Sequence, residues 1–170
     1  MGKRKIYISD PVLSLCEYVD EIDDLKGYEC WLDEGTEQGF NYRTSCTFEE
    51  FAVQPVRSRF LATIFRRSDG VDIGQIFVSP ESELPDLAIM MYKQYRGLGY
   101  GPRAFMLGIR YCFEVLGLDR VYAGCYEQNI ASEKMLWKCG FECHLAGDRN
   151  EKHYLTGEDI VQRDYVLRQC

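Results

Sequence analysis

LPDLAIMMYKQYRGLGYG, residues 84–101, sets two kinds of backbone side by side. Its apolar, partly alternating run (Leu84, Leu87, Ile89, Met90, Met91) predicts a strand. Arg96-Gly97-Leu98-Gly99-Tyr100-Gly101 predicts a turn, and Arg103 to Tyr111 carries a helical pattern. The order is therefore strand, glycine turn, helix. Glycines in such a turn adopt positive φ and let bare backbone approach a ligand. The helix that follows opens with unpaired N–H groups and a partial positive charge. Together these features make an anion site, most naturally for a pyrophosphate.

Better-known glycine loops fit less well. A phosphate-binding P-loop needs G-x-x-x-x-G-K-[ST], and the chain has no such run. A dinucleotide fingerprint needs G-x-G-x-x-G, but here the third glycine comes one residue early and Pro102 follows. The arginine-led pattern R-x-x-G-x-G does fit, on Arg96, Gly99 and Gly101. The plain alternative is an ordinary glycine turn. The strand before it and the helix after it weigh against that.

A second block lies downstream: Leu116-Gly117-Leu118-Asp119-Arg120-Val121-Tyr122-Ala123, then Asn129-Ile130-Ala131-Ser132, then Cys139-Gly140-Phe141. With these two blocks in order, residues 87–141 resemble the GNAT (Gcn5-related) N-acetyltransferase superfamily, in particular its ribosomal-protein (RimJ/RimL-like) branch. The resemblance implies an α/β (α+β) fold over a single domain, residues 1–170. Its sheet is mixed and mostly antiparallel, of about six or seven strands, with helices on both faces. The strand before the glycine loop and the strand after the next helix run parallel and splay apart.

The resemblance also implies acetyl-CoA as cosubstrate. Its pantetheine arm lies in the splay, with Met91 offering a backbone contact. Its phosphates sit on Arg96, Gly97, Leu98, Gly99, Tyr100 and Gly101, mainly through backbone N–H groups. Asn129 is the expected side-chain contact to the arm, although asparagine also caps helices well. Ser132 bonds near the phosphates or faces its own helix turn. The implied reaction is acetyl transfer to a primary amine by direct attack in a ternary complex. Many family members supply a tyrosine as acid at the end of N-x-x-A-x-x-L-Y. Counting from Asn129 places Leu136 there, so the acid is unassigned. A non-catalytic acyl-CoA-binding or sensor module is the alternative.

A neutral amine must lose a proton as it attacks, so a base is needed. Asp86 is the first candidate and Glu83 the second, with a water chain to the amine as an equal alternative. The acceptor is expected to meet the aromatic and acidic stretch from Tyr28 to Tyr42, where Trp31, Asp33, Glu34 and Glu37 hold a cationic amine by charge and cation–π contact. A small cationic molecule and a protein N-terminus both fit that description.

Composition narrows the setting. A chain of 170 residues with 46% hydrophobic side chains supports one domain with a sizeable core. A net charge of −7 argues against a nucleic-acid surface. No run of 18 apolar residues predicts a membrane helix, and the basic Met1-Gly2-Lys3-Arg4-Lys5 start is not followed by a signal-peptide core. The eight cysteines are read as reduced thiols in a cytoplasmic protein, with Cys170 as the exposed one. Cys139, Cys143 and His144 lack a second ligand pair, so no metal is expected. A homodimer is plausible from the resemblance alone.

Along the chain, Ile6 to Ile8 predicts a first strand, and Asp10-Pro11 opens a helix to about residue 20. Periodicity fades from Asp20 to Thr47. Thr47-Phe48-Glu49-Glu50 is a capping box whose helix ends near Pro55. Residues 60–65 and 71–78 form a hairpin around Asp69-Gly70. A helix over 102–116, a strand over 120–125 and a helix over 132–138 follow. Residues 141–146, 153–156 and 160–167 predict terminal strands.

Overall fold

The computed structural model describes residues 4–54 and 58–169. Alternating apolar residues build an antiparallel sheet in chain order: β1 (Ile6–Ser9), β2 (Leu13–Glu17), β3 (Phe60–Arg66), β4 (Val71–Val78) and β5 (Leu87–Met91). A second sheet pairs β6 (Arg120–Tyr126), β7 (Glu142–Cys143) and β8 (Arg149–Lys152) with the long β9 (Asp159–Arg168). The sheets meet at one parallel bridge, Asp86 opposite Tyr122, where the Tyr122 N–H donates to the Pro85 carbonyl at 2.9 Å. Beyond it β5 and β6 part. The expected class therefore holds: mostly antiparallel strands, helices on both faces, and splayed parallel neighbours.

Strand parity assigns the faces. Leu87, Ile89 and Met91 join Val121, Ala123 and Cys125 in the main core under α4 (Tyr100–Glu114) and α5 (Ile130–Lys138). Met90 turns the other way, into a smaller cluster with Cys30, Trp31, Phe40 and Phe77. That second face carries α1 (Asp20–Trp31) and α2 (Glu34–Phe40), with α3 (Phe48–Ala52) packed on α1. The Thr47–Glu50 capping box forms with both of its bonds.

Three expectations are corrected. The helix expected after Asp10-Pro11 is instead β2. Asp10 Oδ1 accepts from the Val12 and Leu13 N–H groups at 2.7 and 2.8 Å, a turn that folds the chain back as a hairpin. The stretch from Asp20 to Thr47, which showed no periodicity, contains α1 and α2. Finally, β8 covers Arg149–Lys152, and residues 153–156 form a turn in which His153 Nδ1 accepts from the Leu155 and Thr156 N–H groups. Pro55, Cys170 and Met1 to Lys3 lie outside the described residues. No described helix is long and apolar enough to cross a membrane.

The buried positions of α1 are Asp23, Gly27 and Cys30, spaced four and three apart but polar or small. Directional bonds therefore hold this helix down. Asp23, fully buried, accepts from the Val19 N–H at 2.9 Å, the Thr63 hydroxyl at 2.8 Å and the Arg4 guanidinium. Gln75 Nε2 reaches the Asp23 carbonyl at 3.4 Å and the Tyr92 hydroxyl at 3.3 Å. Removing one partner strands the others without a bond. Asp23→Ala is expected to lower unfolding free energy by about 3 kcal/mol in urea denaturation, whereas a loss under about 1 kcal/mol would show that the helix does not hang on this carboxylate.

Candidate active site at the splayed strands

The parting of β5 and β6 leaves a groove of about 820 Å³ that runs from the α4–α5 face to the α1–α2 face. Its wall includes β5 from Asp86 to Met91, the start of α4, one side of α5, and Gly35, Thr36, Gly39 and Phe40 of α2. Tyr92 N–H donates to the Ile73 carbonyl at 3.0 Å, so the next pair, Gly74 with Met91, is a non-hydrogen-bonded pair of the antiparallel ladder. Met91 and Ile89 therefore turn their own N–H and C=O away from β4, toward the groove.

At the α4 end, Gly97 and Gly99 adopt φ of 72° and 82°, the left-handed region where a Cβ is strained. The Gly97, Leu98 and Gly99 N–H groups find no partner among the described residues. These donors and the first turn of a 15-residue helix form an electropositive cradle. Gly101 also lines the groove, but with helical φ; a Cβ there would meet nothing nearer than Met135 Sδ and Met91 Cγ at 3.9 Å. Leu98 points to solvent and Tyr100 packs on the core, its hydroxyl 3.4 Å from Arg66, so only their backbone belongs to the cradle.

Arg96 spends its side chain inside the protein. Its Nε donates to the Met91 carbonyl at 2.8 Å, one Nη donates to Thr36 Oγ1 at 2.9 Å, and the other pairs with Asp33. The guanidinium ties the glycine loop, β5 and the α1–α2 corner together. Lys134 and Lys138, one helical turn apart on α5, line the groove and were not singled out from sequence. Their i, i+4 spacing was the available signal. Asn129 is the N-cap of α5, its Oδ1 accepting from the Ser132 N–H at 3.1 Å, and both residues line the groove. Capping leaves the Asn129 amide nitrogen with both donors. Leu136 is buried against the same groove and brings no proton to it.

On the α1–α2 face, Trp31, Phe40 and Phe77 form an aromatic wall, with ring centroids 4.9 Å apart for Trp31–Phe40 and 6.3 Å for the stacked Phe40–Phe77. Asp33 caps α2, its Oδ2 accepting from the Thr36 N–H at 3.3 Å, and is neutralised by Arg96. Glu34 is exposed and accepts from Gln38; it is not part of the groove wall. Of the four acceptor-side residues expected from sequence, Trp31 alone is in that wall; Glu37 is turned to Arg43 instead. Phe40, from the same expected stretch, is there too, and Phe77 and Gln162 are there unanticipated. Gly124 makes room for Gln162, whose Nε2 would stand 2.7 Å from a Cβ at that position.

Asp86 sits where β5 and β6 part, largely buried, on the same sheet face as Phe77 and Met90. Burial chiefly, then the Asp164 charge and more weakly Glu83, push its carboxyl up from 3.8 to about 6, against the pull of Arg149. Its main-chain N–H is fixed by Ser79 Oγ at 2.9 Å.

The family described as an acetyltransferase (GNAT) domain matches residues 18–142. No curated protein matches the chain by sequence. Among solved structures, the fold is similar to a spermidine N-acetyltransferase from Vibrio cholerae in complex with CoA and spermine, at 14% identity and TM-score 0.79, over 92% of this chain and 95% of that one. It is also similar to a GNAT-family acetyltransferase from Bacillus anthracis, at 16% identity and TM-score 0.76, over 95% and 97%. A ribosomal-protein-S5-alanine acetyltransferase from Vibrio fischeri gives 16% identity and TM-score 0.76, over 95% of each chain.

Burial of Asp86 has a stability consequence of definite sign. Unfolding returns its raised pKa to the ordinary value. The folded state therefore holds a proton that the unfolded state releases between about pH 4 and pH 6. Folding is penalised increasingly across that window, and fully above it. Asp86→Asn is expected to stabilise the protein at pH 7 by as much as about 3 kcal/mol, and to leave stability unchanged near pH 4, in urea titrations at both pH values.

Proposed function

Because this chain belongs to the GNAT acetyltransferase family, we propose that it is an acetyl-CoA-dependent N-acetyltransferase whose acceptor is a primary amine. The observation that carries this reading is the juxtaposition of the unpartnered N–H cradle at Gly97 to Gly99 with a groove passing through the sheet. Phosphates suit the cradle, with Lys134 and Lys138 adding charge. The arm suits the open backbone of Ile89 and Met91, as a strand laid against an unpaired edge, with the Asn129 amide donating from the opposite side. The carbonyl of Met91 already accepts from Arg96, so its N–H is the group left for that contact.

Bound acetyl-CoA supplies a thioester carbonyl and a thiolate leaving group. The chain supplies position and a proton acceptor. Asp86, ionised above its raised pKa, takes the proton that an ammonium must lose before it attacks, directly or through one water. The new C–N bond forms as the C–S bond breaks, and the nitrogen's second proton passes to the departing thiolate, while the first leaves Asp86 for solvent. The amine enters from the α1–α2 face and meets the acyl carbon at the splay. A second reading, a silent acyl-CoA-binding module, draws on the apolar Leu136 where a donor is common.

CoA release with a panel of amines separates the two readings, because a silent module binds acetyl-CoA without turnover. Turnover is expected to rise with pH through about 6 and then level. In Asp86→Asn the rate is expected to fall about 100-fold and lose that inflection, with CoA affinity kept. Gly101→Glu introduces a carboxylate without backbone strain and is expected to abolish the thermal stabilisation given by acetyl-CoA. Gly101→Ala controls for folding, since helical φ there accepts alanine. Retained CoA affinity in Gly101→Glu would overturn the cradle assignment.

A further inference from the structure

We infer that the acceptor is a small primary amine carrying one positive charge on a flat apolar body, an arylalkylamine in chemical class. The inference rests on the acetyl-transfer reading and adds the acceptor to it. It follows from a charge census and the aromatic wall together.

Asp86 is the only carboxylate among the described residues that line the groove. Glu83 presses on its charge but does not line the groove, and three further acids are committed elsewhere. Asp33 is held by Arg96, with Lys93 at 3.7 Å. Glu37 is clasped by the Arg43 guanidinium, with bonds of 2.7 to 3.0 Å. Asp164 Oδ2 faces His144 Nδ1 at 2.7 Å. A polyamine entering from this face finds one carboxylate and must strip water from its remaining ammonium groups against apolar walls, which is costly. A monoamine has no such unpaired charge.

The wall meets the rest of such a molecule. Trp31, Phe40 and Phe77 present aromatic surface on the face that carries Asp86, and Met90 closes the floor between them. Aromatic rings and a thioether give a flat ring edge-to-face and sulfur–aromatic contacts at low entropic cost. An amine tethered to a ring by a short chain places nitrogen at Asp86 and the ring on this wall.

The test compares kcat/KM for phenethylamine, tryptamine, spermidine and a tripeptide led by alanine, all with saturating acetyl-CoA. Phenethylamine or tryptamine is expected to exceed spermidine by at least about tenfold, which one well-placed aromatic contact and one avoided desolvation supply. Phe40→Ala is expected to remove most of that advantage while leaving the KM for acetyl-CoA within about twofold. Higher kcat/KM for spermidine, or for the tripeptide, overturns the inference and leaves acetyl transfer standing. If no amine turns over, fluorescence of Trp31 is titrated with the same amines, with CoA bound and in a Trp137→Phe background. Saturable quenching by phenethylamine but not by spermidine supports the ligand class while acetyl transfer fails; equal or absent quenching overturns the class.

Discussion

The Tyr122 N–H donates to the Pro85 carbonyl, and among the described residues no further ladder bond joins β5 to β6. Everything at the site depends on that single closure. Two parallel strands that stayed paired would leave no groove, and two that never met would give it no floor. Because they part after one contact, the inner backbone of β5 keeps its N–H and C=O groups free of a neighbouring strand. Such groups are costly to bury unpaired, so the splay creates a demand for an extended partner. The same parting opens a path between the two sides of the sheet, as the proposed function requires.

Arg96 holds this geometry from the side. It links the Met91 carbonyl, Thr36 and Asp33, and thus the edge of β5, α2 and the glycine loop. The arginine of the R-x-x-G-x-G pattern acts here by positioning the loop and the α1–α2 corner, with its charge already met by Asp33. Gly35 fits the same arrangement, since a Cβ there would stand 2.5 Å from the Arg96 guanidinium. The two ends of the groove are therefore built against one another.

The glycine loop, the β3–β4 hairpin, the Thr47 capping box and the order of the central elements were legible in the sequence because each rests on local backbone chemistry. Turn glycines, Asp-Gly and a reciprocal cap declare themselves within six residues. The misses have a common cause in longer-range contacts. β2 reads as a helix from sequence because Asp10-Pro11 opens a helix and an Asx turn equally well, and only pairing with β3 decides between them. α1 was invisible because its buried face is Asp23, Gly27 and Cys30, whose partners lie on β3, α2 and β5. At the site, Asp33 looked available until Arg96, 63 positions away, came to meet it.

The polar docking of α1 reaches into thermodynamics. The α4 side of the sheet is held by a broad apolar cluster, whereas the α1–α2 side rests on a few apolar residues and the bonds around Asp23 and Gln75. Heat capacity follows exposed apolar area. Lifting α1 and α2 therefore changes heat capacity little, while releasing α4 changes it strongly. The two sides of one sheet respond differently to cooling: hydrophobic adhesion weakens in the cold and hydrogen-bonded adhesion does not. At low temperature the α1–α2 layer keeps its grip while the α4 layer loosens, which makes the balance between the two ends of the groove a function of temperature.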